Sequence, residues 1–333
     1  VKVTVLGSGG WGTALAVLLL ENGNQVTLWS HTQEESILLR TTRENPLLPE
    51  VVLPDQLKLT EDISCVCDCD VVVVATPSFA VRDTARKLKE YLSPEATLVS
   101  VAKGIEKETS LRLSQVIREE TGDAWPVAVL TGPSHAEEVA RHVPTGCVSA
   151  CENRTIAEKV QDLFLNERFR VYSSPDVVGV ELGAALKNVM ALCAGFCTGM
   201  GFGDNTKALL MTRGLTEIAR LGVALGGRRE TFAGLAGMGD LIVTCTSLNS
   251  RNNRAGILIG KGMPVQEAIQ EIGAVVEGYF AVDSARILAQ KVGVEMPITE
   301  AAYRVLYEDA NMGTVTQELM LRKKGHEIEE SWI

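Results

Sequence analysis

The sequence predicts an α/β fold, with an N-terminal doubly wound domain of parallel strands followed by an all-helical C-terminal domain. Three observations predict it. The first 150 or so residues alternate short Val-rich runs with apolar stretches at helical spacing, the pattern of βαβ units. A glycine-rich turn, Gly7-Ser8-Gly9-Gly10-Trp11-Gly12, directly follows the first of those runs and directly precedes a helical stretch. From Asp176 onward, Val-rich runs give way to Ala, Leu, Gly and Glu at helical spacing.

Taken in order, strands are predicted over residues 2–6, 25–29, 71–75, 97–101, 127–130 and 145–150. Residues 13–21 are apolar at helical spacing and stop at Asn22-Gly23, a C-cap signal. A helix over 154–165 and an extended run over 169–173 end the sheet-forming part. The boundary falls near residues 174–180, dividing the chain into residues 1–178 and 179–333. Two domains suit a chain of 333 residues, because single domains usually hold about 100–200.

Composition narrows the function classes. A hydrophobic share of 46% with 22% charged residues is that of an ordinary globular core. The net charge of -10 repels nucleic acid and anionic membranes, so a bound phosphate has to be captured locally. The uncharged stretch over residues 188–203 is shorter than the ~18 residues of a membrane span and is interrupted by Gly195, Gly199 and Gly201. It reads as a buried helix. The chain enters an apolar strand with no basic segment before it, so no export signal is expected and the cytoplasm is the expected compartment. Eight cysteines form no Cys-x-x-Cys pair and only four histidines are available, which argues against a metal site. Cys65, Cys67 and Cys69 are expected on one face of an extended segment.

The glycine-rich turn fits a dinucleotide loop. Gly7 suits the tight turn, Gly9 the close approach of backbone to a pyrophosphate, and Gly12 the packing of helix on strand, while the amides at the helix start face the negative charge. The second strand ends Trp29-Ser30-His31, without the acidic residue that usually holds the ribose hydroxyls of NAD. The choice between NADH and NADPH stays open. His31 either faces the adenosine ribose or a 2'-phosphate, or is an exposed loop histidine. Thr76-Pro77-Ser78, Lys103-Gly104 and Gly132-Pro133-Ser134 all start at strand ends, where ligands of open sheets sit.

Lys187 and Asn188 lie inside a helix that is apolar almost all round, where desolvation lowers a lysine pKa toward the range of proton transfer. A snorkelling side chain is the ordinary alternative. Asp240 and Thr244 share a helix face, and Ser250-Arg251-Asn252 is a donor-rich turn suited to a phosphate dianion. Gly199, Gly201 and Gly203 lead to Asp204, either as a mobile lid or as packing at a helix end.

Together these residues resemble the NAD(P)-dependent glycerol-3-phosphate dehydrogenase family, most closely its bacterial type. The resemblance runs nearly the whole chain, through residues 7–12, Lys103-Gly104, Gly132-Pro133-Ser134, Leu186-Lys187-Asn188, 201–207, 237–244, Ser250-Arg251-Asn252 and Val276-Glu277-Gly278. It implies a Rossmann-type domain followed by a helical one, and interconversion of dihydroxyacetone phosphate and sn-glycerol 3-phosphate with NAD or NADP. It further implies that Gly10, Trp11, His31, Lys103, Ala136, Arg251, Val275 and Glu277 lie along the coenzyme. Lys103, Gly132, Ser134, Lys187, Asp240, Ser250, Arg251 and Asn252 would surround the substrate, with Lys187 as acid and base. Lys103 and Asn188 would position and polarise the substrate oxygen, Asp240 and Thr244 complete the network, and Arg251 and Asn252 take the phosphate. A homodimer and a role in supplying phospholipid synthesis are the corresponding family expectations. A ketopantoate or hydroxy-acid dehydrogenase shares the loop and an embedded lysine but lacks a reason for the Ser250-Arg251-Asn252 turn. A coenzyme-binding sensor without turnover has no use for the polar set of the helical half.

Overall fold

The computed structural model describes residues 1–327. Among these residues ten strands form in chain order: β1 (Lys2–Leu6), β2 (Gln25–Trp29), β3 (Glu44–Asn45), β4 (Leu48–Val52), β5 (Lys58–Thr60), β6 (Val71–Val74), β7 (Thr97–Ser100), β8 (Val127–Thr131), β9 (Thr145–Ala150) and β10 (Phe169–Ser174). Eight of them build one sheet in the order β10-β9-β8-β7-β6-β1-β2-β5. Helices α1 (Gly10–Glu21), α2 (Gln33–Thr42), α3 (Val81–Leu88), α4 (Leu113–Thr121), α5 (Ala136–Ala140) and α6 (Arg154–Phe164) accompany it. The central strands β6, β7 and β8 are buried along their whole length because both faces are covered.

The sheet departs from the parallel expectation at one place. β8 and β9 pair antiparallel, so β9 and β10 run against the rest. The reason is length: α5 has five residues, a rise of roughly 7 Å, too little to carry the chain back beside a strand of about 17 Å. Two further elements escaped sequence reading. The edge strand β5 is three residues long, and β3–β4 is a separate antiparallel hairpin. Cys65, Cys67 and Cys69 do not share an extended face; the chain turns through a 3-10 helix at Ile63–Val66, leaving Cys69 buried and Cys67 exposed.

Among the described residues nine helices follow: α7 (Val177–Gly199), α8 (Asp204–Ala224), α9 (Arg229–Phe232), α10 (Asp240–Thr246), α11 (Arg251–Gly260), α12 (Val265–Ile272), α13 (Glu277–Val292), α14 (Pro297–Tyr307) and α15 (Met312–Met320). α7 is long and apolar enough to cross a membrane, yet it is the buried axis of the helical core. Glu181 on α7 accepts hydrogen bonds from the Ser114 amide and hydroxyl at 2.8 and 2.6 Å and pairs with Arg112, which ties the axis to the sheet side. α11 packs directly on α7. A Cβ at Gly256 would stand 2.1 Å from the Leu192 carbonyl oxygen, and one at Gly199 would stand 2.4 Å from that of Ile257, so only hydrogens fit between the backbones. Gly199 therefore belongs to helix packing rather than to a lid, and the loop before α8 is short, with Gly201 in the left-handed region.

Candidate active site

Because β1, β6, β7 and β8 are parallel, their C-terminal ends and the loops that follow emerge along one edge of the sheet. The glycine loop follows β1. Gly7 has φ of 116°, and a Cβ there would meet the Ala75 carbonyl oxygen at 2.8 Å, so no other residue makes this turn. A Cβ on Gly12 would lie 2.0 Å from the Gly7 carbonyl oxygen, whereas one on Gly9 meets nothing within 4 Å. The first backbone bond of α1 runs from the Thr13 amide to the Gly9 carbonyl, leaving the amides before it for a ligand. The indole nitrogen of Trp11 is buried without a hydrogen-bond partner. Open space, free amides and an orphaned donor fit a pyrophosphate-bearing coenzyme.

Across the cleft, α7 carries Lys187 and Asn188, each 4% exposed. A single π-type turn over Leu235–Gly239 leads into α10, whose first residue is Asp240, 1% exposed. Its carboxylate bridges two ammonium groups: Oδ1 lies 2.7 Å from Lys187 Nζ and Oδ2 lies 2.7 Å from Lys103 Nζ. Lys187 also donates to the Thr244 hydroxyl at 2.5 Å, and that hydroxyl donates to the Asp240 carbonyl at 2.6 Å. Lys103 donates to the Gly132 carbonyl at 2.8 Å, as does the Ser134 hydroxyl at 2.9 Å. Six residues named from the sequence thus form one network.

The electrostatics follow from burial and these partners. Desolvation pushes the Lys187 pKa down to about 8; Asp240 opposes the fall and the Lys103 charge adds to it. Burial works against ionisation of Asp240, but the Lys103 and Lys187 charges and their hydrogen bonds outweigh it and hold the carboxyl below its usual range. Two cations and one anion leave a local positive excess on an acidic protein.

A second network settles the orientation of an amide. The Gly278 backbone N–H donates to Asn252 Oδ1 at 2.8 Å, so Asn252 turns its Nδ2 to Asn188 Oδ1 at 3.0 Å. A backbone N–H only donates, so the Asn188 Nδ2 is left as the free end. The Asn252 Oδ1 and one of its two Nδ2 hydrogens are thereby engaged within the fold, leaving the second Nδ2 hydrogen and the backbone N–H at the second position of α11. Ser250 caps α11 by accepting from the Asn253 amide at 3.2 Å, and Arg251 is exposed at its first turn. Glu277, the first residue of α13, accepts from the Ser78 hydroxyl at 2.7 Å; burial raises its pKa, against the pull of Ser78 and Arg251. Val275 is half-buried just ahead of it, and Ala136 packs 3.7 Å from the Cβ position of Gly10. His31 stands apart at the end of β2, exposed and edge-on to Trp29 at 5.8 Å.

Sequence reasoning missed three residues here. Ser78 was visible only as part of a strand-end loop, and its partner is 199 positions away. His135 follows Ser134 directly; its Nε2 is buried without a hydrogen-bond partner, and burial and then Lys187 lower its pKa. Asn45 sits in the hairpin that no periodicity announced.

Comparison with known proteins agrees across both halves. Residues 2–157 match the family model for the NAD-dependent glycerol-3-phosphate dehydrogenase N-terminus, and residues 176–317 match that for its C-terminus. A glycerol-3-phosphate dehydrogenase [NAD(P)+] of Moorella thermoacetica is 53% identical over 330 residues, covering 98% of each chain. One from Desulfitobacterium hafniense is 50% identical over 99% of this chain and 94% of its own. The crystal structure of glycerol-3-phosphate dehydrogenase from Coxiella burnetii superposes with a TM-score of 0.92 at 37% identity, covering 96% of this chain and 99% of that one.

Proposed function

The chain belongs to the NAD-dependent glycerol-3-phosphate dehydrogenase family, and from that premise we propose how its own residues interconvert dihydroxyacetone phosphate and sn-glycerol 3-phosphate with NAD(P)(H). The observation that carries the reading is the buried bridge from Lys187 through Asp240 to Lys103. The reduced nicotinamide, when bound, supplies a hydride to the substrate carbonyl carbon. The carbonyl oxygen then becomes an alkoxide, and a group that donates a proton there lowers the barrier. Lys187 is that donor, because a pKa of about 8 lets it give up the proton and take it back near neutral pH. Asp240 holds both lysines in place, and Thr244 fixes the direction of Lys187.

Lys103, with 19% of its side chain exposed, and the outward Nδ2 of Asn188 polarise the same oxygen. Gly132 and Ser134 line the Lys103 side. Arg251 and the amides at the start of α11 hold the phosphate, with Ser250 ordering that turn and Asn252 acting mainly through Asn188. The amides at Gly9, Gly10 and Trp11 receive the pyrophosphate, with Gly7 and Gly12 shaping the loop. Ala136, Val275, Glu277 and His31 border the coenzyme.

The division into residues 1–178 for coenzyme and 179–333 for substrate belongs to the same reading, as does supply of glycerol 3-phosphate to phospholipid synthesis in the cytoplasm. A homodimer, the expectation carried by the family resemblance, belongs to it too. The test is loss of reduced-nicotinamide absorbance when the protein meets dihydroxyacetone phosphate with NADH or NADPH. Rapid oxidation is expected with at least one coenzyme. Silence with both, from protein that binds coenzyme, overturns the reading.

A further inference from the structure

The hairpin β3–β4 lies against the glycine loop, and one side chain makes the connection. Asn45 is 4% exposed, and both hydrogens of its amide are used on the loop: Nδ2 donates to the Ser8 carbonyl at 2.8 Å and to the Thr13 hydroxyl at 2.7 Å. Its Oδ1 accepts from the Leu47 amide in the hairpin at 2.9 Å, which fixes the orientation of the side chain without ambiguity. The Thr13 hydroxyl donates to the same Ser8 carbonyl at 3.3 Å. The hairpin also explains Gly10, which the dinucleotide motif does not require: a Cβ there would lie 2.6 Å from the Leu47 carbonyl oxygen.

We infer that Asn45 is a positioning residue for the coenzyme, which acts by fixing the peptide plane between Ser8 and Gly9. The peptide unit is planar and trans, with no cis bond among the described residues, so its C=O and N–H point in opposite directions. Drawing the Ser8 carbonyl inward to Asn45 and Thr13 turns the Gly9 N–H outward. Gly9 faces open space on its Cβ side, where a coenzyme phosphate fits. Without Asn45 this plane is free to rotate, because Gly9 puts no side chain in the way. A rotated plane presents a carbonyl dipole to the phosphate, and only the fraction of molecules with the N–H outward binds well.

The inference rests on the reading of residues 7–12 as the coenzyme loop, and the experiment separates the two. NADH and NADPH are titrated into the full chain, with quenching of intrinsic tryptophan fluorescence as the readout, for wild type, Asn45→Ala, Thr13→Val and Thr13→Ser. The melting temperature of each is recorded alongside. Asn45→Ala removes both bonds from Asn45 to the loop and raises Kd about tenfold; Thr13→Val removes the Thr13 hydroxyl's bonds but keeps the shorter bond from Asn45 to the Ser8 carbonyl, and raises Kd about threefold. Thr13→Ser keeps the hydroxyl and stays within about twofold of wild type. At saturating coenzyme, kcat is expected to change by less than about twofold in all three, because binding restores the loop. Unchanged Kd in Asn45→Ala, with only a lowered melting temperature, overturns the inference and leaves Asn45 a residue of the fold. If Asn45→Ala does not fold, equal Kd values for Thr13→Val and Thr13→Ser overturn it in the same way. A wild type that binds neither coenzyme overturns the loop reading and this inference together.

Discussion

Asp240 and Glu217 are both carboxylates of the helical half, exposed by 1% and 2%, but they face different partners. Asp240 lies between the ammonium groups of Lys187 and Lys103, and its pKa is held down against the pull of burial. Glu217, on α8, accepts from the Ile298 amide at 2.7 Å and the Thr299 amide at 3.3 Å, where α14 begins. Burial pushes its pKa up to about 7; those amides, the Arg220 charge and the Thr299 hydroxyl only moderate the rise. Burial alone therefore does not mark a reactive carboxylate. Two cations, one of them buried, held by one buried anion assemble a proton-handling centre, whereas a carboxylate on helix amides joins two helices.

Four substitutions break or sharpen that contrast. Lys187→Ala is expected to lower turnover about ten-thousandfold, the upper end for loss of a general acid, while coenzyme Kd measured by fluorescence stays near wild type. Asp240→Asn leaves both lysines without their counter-charge, and kcat is expected to fall about a thousandfold. Lys103→Met should cost about a hundredfold in kcat/KM and, because the Lys103 charge helps depress Lys187, move the break in the pH profile above its wild-type position. A break that stays in place, or moves down, would show that the lysines are not coupled through this site.

Glu217→Gln, the matching change on the other carboxylate, should leave turnover unaltered. Its effect is on stability. A carboxyl whose folded pKa is raised from 4.5 to about 7 contributes stability that is fully present below its unfolded value and is lost as pH rises through about 7. The variant's melting temperature relative to wild type should thus rise by about 2 °C between pH 5 and pH 8. A constant difference contradicts the raised pKa.

Local signals carried the reading of the fold where a strand, a turn and a helix agreed, as at β1, residues 7–12 and α1. They failed where geometry depends on distant partners. Nothing near Thr145 announces that β9 turns antiparallel to β8, and a two-residue strand such as β3 has no periodicity to detect. In the site, Lys187 was legible because a charge inside an apolar helix needs a reason, and Asp240 because it follows a run of glycines. Ser78 in a strand-end loop and Asn45 in a two-residue strand are ordinary polar residues, and only the approach of Glu277 and Ser8 gives them meaning. Likewise, only the Gly278 amide, 26 positions away, fixes which way the Asn252 side chain turns.

The central claim is that Lys187 moves the proton, and the pH dependence of wild-type turnover in both directions tests it most directly. Reduction of dihydroxyacetone phosphate needs the ammonium form and is predicted to fall as pH rises through about 8. Oxidation of glycerol 3-phosphate needs the neutral amine and is predicted to rise through the same pH. Rates in both directions that show no break between about pH 7 and pH 9 would contradict the assignment.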